Sequence, residues 1–88
     1  ARIVGARLSA DTGQQFIIDN RPGAGATLAA DAVAKAAPDG YTLYLAETGL
    51  LISPAMYAKL PFDPIKSFTP VAGVASLPLA IVTRWGLP

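Results

Sequence analysis

A glycine-rich segment at residues 19–25, with the sequence DNRPGAG, suits ligand binding better by its residue types and spacing than any other segment of the chain. It precedes an alanine-rich stretch, residues 26–37, that is typical of a helix. A glycine-rich loop between a strand and a helix presents backbone N–H groups to a ligand, and the helix dipole adds partial positive charge. We therefore predict an anion-binding wall at Gly23, Ala24 and Gly25. A purely conformational role for the two glycines, in turning the chain into the helix, is equally open.

The same loop matches part of a dinucleotide-binding fingerprint. Its two glycines give G-x-G, and Glu47 lies near the position of the acid that binds a ribose. However, Leu28 occupies the third position, which should be Gly or Ala so that the helix packs closely on the strand. Residues 19–22 also intervene where the fingerprint has a tighter turn. A nucleotide-binding α/β enzyme domain is therefore the weaker alternative, and a P-loop is excluded because no Gly-Lys-Ser/Thr follows.

A second candidate site is formed by Glu47, Thr48 and Gly49, which follow the apolar residues 41–46. If residues 41–46 form a strand of an open α/β sheet, these three residues lie at its carboxyl end, where such sheets bind ligands. The Thr48 hydroxyl and the Gly49 N–H suit a ligand carboxylate. Glu47 would repel a carboxylate, so it suits a ligand amine or a water, or simply faces solvent.

Other polar residues have simpler structural roles. Arg21 can clamp a carboxylate with two hydrogen bonds. An ion pair with Asp19 or another nearby acid, or a solvated loop charge, is favoured instead because Pro22 beside it indicates a shaped turn. We expect Asp39 and Asp63, in predicted turns, to accept hydrogen bonds from nearby backbone N–H groups. The three tyrosines and the tryptophan are predicted to pack against other side chains rather than to bind a ligand: Tyr41, Tyr44, Tyr57 and Trp85.

Composition excludes several classes of function. The chain has no Cys and no His, which removes thiol nucleophiles, imidazole bases and the usual zinc sites. Its net charge of +1 and the lack of a basic stripe argue against nucleic acid. No apolar run approaches the roughly 20 residues of a membrane-spanning helix, so we predict no embedding in a membrane. With no catalytic set, metal cluster or cofactor motif in view, we predict a binding protein rather than an enzyme.

The pattern of elements favours an α/β domain with a mostly parallel sheet flanked by helices. Helices are predicted at residues 2–12, with Gly13 as the C-cap, and at residues 26–36. A third helix is predicted with Ser53 as N-cap, Pro54 as its first residue and Lys59 as its end. Strands are predicted at residues 15–19, 41–46, 71–75 and 79–83. Charged residues make up only 15% of the chain, against about 25% in a typical domain, which suggests that further chain covers part of this surface.

Four blocks of sequence, in order and spacing, identify a family resemblance. They are residues 20–25 (NRPGAG), 36–43 (AAPDGYTL), 53–57 (SPAMY) and 60–64 (LPFDP), and residues 68–71 continue the pattern. The chain resembles, over essentially all 88 residues, the Bug family of extracytoplasmic solute receptors, the substrate-binding proteins of tripartite tricarboxylate transporters. The resemblance implies a periplasmic protein of the type II periplasmic-binding-protein fold. Its two domains would close on a small carboxylate without covalent chemistry and deliver it to membrane permease subunits.

The resemblance also implies that residues 1–88 are only part of the first domain. The sequence begins inside the first helix of the family pattern, so the first strand with its loop, and the whole second domain, are absent. In such folds the first strand lies between the next two. We therefore expect a sheet that lacks its centre unless other chain fills it, and an isolated polypeptide that is unstable or self-associates.

Overall fold

Helix α1 (Arg2–Thr12) confirms the first predicted helix in the computed structural model, which describes residues 1–86. It ends as predicted at Gly13, whose left-handed conformation (φ 69°) lets its N–H donate to the Ser9 carbonyl oxygen at 3.1 Å. Gly5 is the buried residue of α1, because the Ile18 side chain covers it. The Ser9 hydroxyl also accepts a hydrogen bond from the Phe16 N–H at 3.0 Å. These contacts fix the start of the following segment against α1.

Helix α2 (Thr27–Ala34) confirms the second predicted helix with shorter ends. Lys35 Nζ lies 2.7 Å from Asp31 Oδ2, and this ion pair between residues four apart supports the end of the helix. A short turn, Ala24–Ala26, precedes it and has left-handed backbone angles. Helix α3 contacts both α2 and this turn, so these three elements form the packed part of the molecule.

The third helix differs from the prediction. Helix α3 runs over Thr48–Met56, so Ser53 and Pro54 lie inside it rather than at its start, and it ends before Lys59. Proline has no N–H to donate to the Leu50 carbonyl, as residue 54 of a regular helix would. The Ser53 hydroxyl donates to that carbonyl oxygen instead, at 2.7 Å, which allows the helix to pass through the proline.

The end of α3 has a separate cause. Tyr57 leaves the helix in an extended conformation (φ −122°, ψ 124°), and Pro61 and Pro64 then direct the chain into a turn that cannot continue a helix.

The predicted strands are absent from the part of the chain that the structure describes. Residues 15–19, 41–46, 71–75 and 79–83 are irregular and form no ladder of backbone hydrogen bonds. A strand exists only when a neighbouring strand lies within about 5 Å to pair with it, and residues 15–19 and 41–46 instead border one large concavity. The helical part of the α/β prediction is therefore confirmed, while the sheet stays a prediction.

The dimensions reflect this lack of a sheet. The radius of gyration is 16.0 Å, whereas a packed domain of this length has about 12 Å. Within residues 1–86 the buried residues are few: Gly5, Ala30, Ser53 and Phe62. Large apolar side chains such as Ile17 and Trp85 are exposed. None of the helices in this range has the length and apolar character needed to cross a membrane.

Candidate functional site

A concavity of about 2590 Å³ is bordered by α1, α2, the first half of α3 and irregular segments of the chain. Glu47 and Thr48 contribute to its wall, while Gly49 does not. From the glycine-rich loop, Arg21, Pro22 and Ala26 line it, and the predicted wall residues 23–25 do not. Pockets for small molecules usually measure about 300–1000 Å³. The concavity is therefore larger than a small ligand needs.

Thr48 and Gly49 are the first two residues of α3, and not part of a loop before the helix as predicted. The first hydrogen bond of this helix joins the Leu50 N–H to the Glu47 carbonyl oxygen at 3.1 Å. The N–H groups of Thr48 and Gly49 precede it and have no acceptor within the helix. Two backbone donors and the Thr48 hydroxyl thus lie together at the positive end of a helix dipole, which suits a carboxylate.

Glu47 is the N-cap residue of α3, but its side chain makes no capping hydrogen bond. Its carboxylate folds over the first turn, and a Cβ built on Gly49 would lie 3.0 Å from Glu47 Oε1. Gly49 therefore leaves the room that this carboxylate occupies. Within residues 1–86, Glu47 takes no part in an ion pair. Its negative charge beside the two donors is available to a ligand ammonium group or to a bridging water.

An aromatic cluster lies next to Glu47. The rings of Tyr44 and Phe68 are 5.9 Å apart, and Phe62 packs edge-on against Phe68 at 5.8 Å. Partial burial raises the pKa of Tyr44 above its ordinary value of 10.0, and the negative charge of Glu47 raises it further. Tyr44 is thus a neutral hydroxyl near Glu47 at any physiological pH, able to donate or accept a hydrogen bond.

The loop around Gly23 and Gly25 has an unusual backbone. Residues 23–26 all have positive φ angles, including the two alanines, with values of 127°, 47°, 60° and 69°. The missing side chain of Gly23 leaves room for Leu28, since a Cβ there would lie 2.7 Å from Leu28 Cδ1. A nucleotide pyrophosphate needs that kind of close approach to a glycine, so Leu28 disfavours the dinucleotide alternative. At Gly25 the neighbour is Tyr57. Both glycines are explained by conformation and close packing.

The remaining polar residues have the structural roles that the sequence predicts. Arg21 Nε lies 2.9 Å from Asp19 Oδ2, in an exposed ion pair. Asp39 Oδ1 accepts a hydrogen bond from the Tyr41 N–H at 3.0 Å. Asp63 Oδ1 accepts two, from the N–H groups of residues 65 and 66, and these bonds lower the pKa of Asp63. Within residues 1–86, no three His, Cys, Asp or Glu side chains group as metal ligands.

The two candidate regions lie at opposite ends of one helix. Thr48 begins α3, and Tyr57, which follows its last residue, contacts Gly25. A helix of nine residues is about 13 Å long, so the two regions lie apart and do not form one cluster of contacts. Sequence reasoning missed Ser53 and Tyr57 as the residues that hold this arrangement. The Ser-Pro pair was a visible signal, although its order suggested a helix start, and Tyr57 gave no local signal at all.

Comparison with known proteins establishes the family. Residues 1–88 match the tripartite tricarboxylate transporter family receptor. Because this match covers the whole sequence, the chain belongs to that family, and the resemblance to Bug-type receptors is confirmed. The family is one of substrate-binding receptors.

The relatives are longer than this chain. It is 52% identical over 82 residues to a UPF0065 protein of Bordetella bronchiseptica, an alignment covering 92% of this chain and 24% of that protein. It is 42% identical over 84 residues to a UPF0065 protein of Agrobacterium vitis, covering 96% and 24%. It is 35% identical over 86 residues to BugT of Bordetella pertussis, covering 96% and 26%. The chain thus spans about a quarter of the length of these relatives. No solved structure matches it.

Proposed function

We propose that this chain is part of the first domain of a periplasmic receptor that captures a small carboxylate for a tripartite tricarboxylate transporter. Family membership supports the receptor role. The observation that carries the choice of ligand is the start of α3, where the Thr48 hydroxyl and two backbone N–H groups without helical acceptors lie together. Such a receptor performs no covalent step. It binds the solute by hydrogen bonds and releases it to the permease subunits in the membrane.

In this proposal the residues at the start of α3 bind different groups of the ligand. Thr48 and Gly49 donate hydrogen bonds to a ligand carboxylate, and the helix dipole stabilises its charge. Glu47 accepts from a ligand ammonium group or from a water, which offsets its repulsion of the carboxylate. The turn containing Gly23, Ala24 and Gly25 does not itself border the concavity, but Pro22 and Ala26 on either side of it do, and we propose that its backbone completes a second wall there in the full receptor.

We also propose that further chain of the same receptor completes the domain. Residues 15–19 and 41–46 border the concavity with backbone groups that no strand in the described part of the chain pairs. A strand seated between them would pair with both and cover apolar side chains such as Ile17. The length of the relatives supports this proposal, because about three quarters of each lies outside the aligned region.

A thermal-shift screen of the full-length receptor tests the function. The screen would compare citrate, succinate, glutamate and benzoate with NAD and ATP. A ligand that binds only the folded state adds about 2.7 kcal/mol of stability at a concentration of 100 times its Kd. We expect at least one carboxylate to raise the melting temperature and neither nucleotide to do so. Stabilisation by NAD or ATP, with none by any carboxylate, would favour the nucleotide-binding enzyme instead.

A further inference from the structure

The turn at residues 23–26 has a conformation that its own residues do not favour. Ala24 and Ala26 have φ angles of 47° and 69°, in the left-handed region where a Cβ lies too close to the backbone. Two hydrogen bonds close the turn. The Ala26 N–H donates to the Gly23 carbonyl oxygen at 3.0 Å, and the Thr27 hydroxyl donates to the Ala24 carbonyl oxygen at 2.6 Å. Two strained alanines within four residues persist only when surrounding structure holds them.

Tyr57 lies outside the turn and packs against it at Gly25. A Cβ built on Gly25 would lie 2.9 Å from the Tyr57 hydroxyl oxygen and 3.9 Å from the ring atoms Cε2 and Cζ. The hydroxyl therefore occupies the space that any side chain at residue 25 would need. The position of Tyr57 follows in turn from α3, because its N–H donates to the Ser53 carbonyl oxygen at 2.9 Å and Ser53 is buried.

We propose that Tyr57 is a positioning residue of the binding site, which fixes the left-handed turn by filling the space above Gly25. This inference rests on the proposed function, because it assigns the turn to one wall of the carboxylate site. Helix α3 carries Thr48 at its start and Tyr57 just beyond its end, so one rigid element sets the distance between both walls. Tyr57 acts through Gly25 and does not itself contact the solute.

The test is a pair of substitutions in the full-length receptor. Gly25→Ala places a methyl group against the Tyr57 hydroxyl at 2.9 Å, whereas in Tyr57→Phe the nearest ring atoms are 3.9 Å away, an ordinary contact. Tyr57→Phe should therefore partly rescue Gly25→Ala, with the positive φ of residue 25 keeping the rescue incomplete. Gly23→Ala is the matched control, because its methyl group would meet Leu28 and not Tyr57.

Two measurements compare these variants with the wild type. Amide hydrogen exchange over residues 23–30 needs no ligand, and we expect Gly25→Ala to speed it about tenfold, with Tyr57→Phe restoring part of that protection. Titration calorimetry would use as probe whichever of citrate, succinate, glutamate or benzoate raises the melting temperature most. We expect Gly25→Ala to weaken its binding about tenfold, with partial recovery in the double variant.

The results separate the two proposals. If none of the four carboxylates of the screen binds, the proposed function fails, and hydrogen exchange still decides whether Tyr57 holds the turn. Tyr57→Ala gives a further check, because it should speed exchange over residues 23–30 without adding any clash. Unchanged exchange in Tyr57→Ala, or equal rescue of Gly23→Ala and Gly25→Ala by Tyr57→Phe, would overturn the positioning role.

Discussion

The packed part of the molecule, formed by α2, the left-handed turn and α3, differs sharply from the segments that border the concavity. Ala30 and Ser53 in the packed part are each 1% exposed, whereas Ile17 beside the concavity is 82% exposed. Helices make their hydrogen bonds to residues four positions away, so a short chain contains all the partners they need. Strands need partners from elsewhere in the chain. The difference teaches that residues 1–86 contain the interactions their helices need but not the strand pairing that would order the remaining segments.

The largest expected effect concerns the 88-residue chain by itself. Because its predicted strands find no partners within the described residues 1–86, we expect it to melt without a sharp cooperative transition or to associate with itself, while the full-length receptor melts cooperatively. Calorimetry combined with sedimentation measures both properties. A sharp two-state melt of a monomer of these 88 residues would contradict the claim that the segments around the concavity need further chain to become ordered.

Ile17 offers a local version of the same test. If further chain covers it in the full-length receptor, Ile17→Ala should cost about 2–5 kcal/mol of unfolding free energy, as for a buried isoleucine. Gln14→Ala, three residues earlier and exposed here, is the control and should change stability by less than about 0.5 kcal/mol. Chemical denaturation gives both values. A cost for Ile17→Ala as small as that of the control would show that this segment stays exposed.

Within the packed part, Ser53 and Pro54 form a testable pair. Ser53→Ala removes the hydroxyl that replaces the missing proline N–H at the Leu50 carbonyl, and should destabilise the full-length receptor by about 1–3 kcal/mol. In a Pro54→Ala background, the restored N–H serves that carbonyl, so the same substitution should cost clearly less. Denaturation of the four proteins in this cycle measures the coupling, and equal costs in both backgrounds would refute the proposed replacement.

The smallest effect is a pH dependence at the turn that Asp63 closes. Its pKa is lowered mainly by the two backbone N–H groups that its carboxylate accepts, so the folded state favours the ionised form. The resulting stability is present above the unfolded pKa of about 3.9 and is lost as the pH falls through the lower folded pKa. Asp63→Asn keeps an acceptor oxygen but does not titrate. We expect the melting temperature of the wild type to fall relative to this variant below about pH 4, and parallel curves would contradict the assignment.

The same contrast between local and distant interactions explains what the sequence could predict. Helix α1 and its Gly13 cap, α2, and the turns at Asp39 and Asp63 depend on neighbours within a few residues, and all were predictable. The start of α3 was predicted wrongly, because Pro54 suits a first helical position and the sequence does not reveal that the Ser53 hydroxyl would replace its N–H.

For the candidate site, the sequence pointed to Thr48, Gly49 and Glu47 but placed them after a strand rather than at the start of a helix. It also singled out Gly25 without its partner, because Tyr57 lies 32 positions further along the chain and meets it only through the packing of α3. The sheet could not be confirmed, since its strands depend on pairing that residues 1–86 do not contain.

Calorimetric titration of the full-length receptor tests the central claim most directly. Wild type and Thr48→Val would be titrated with the carboxylate that stabilises the receptor most, and Thr83→Val, at a residue that does not line the concavity, would serve as the control. A lost hydrogen bond to a charged group costs about 1.5–3 kcal/mol, so we predict binding at least about tenfold weaker in Thr48→Val and unchanged in Thr83→Val. Equal affinity of Thr48→Val and wild type would contradict the placement of the carboxylate at the start of α3.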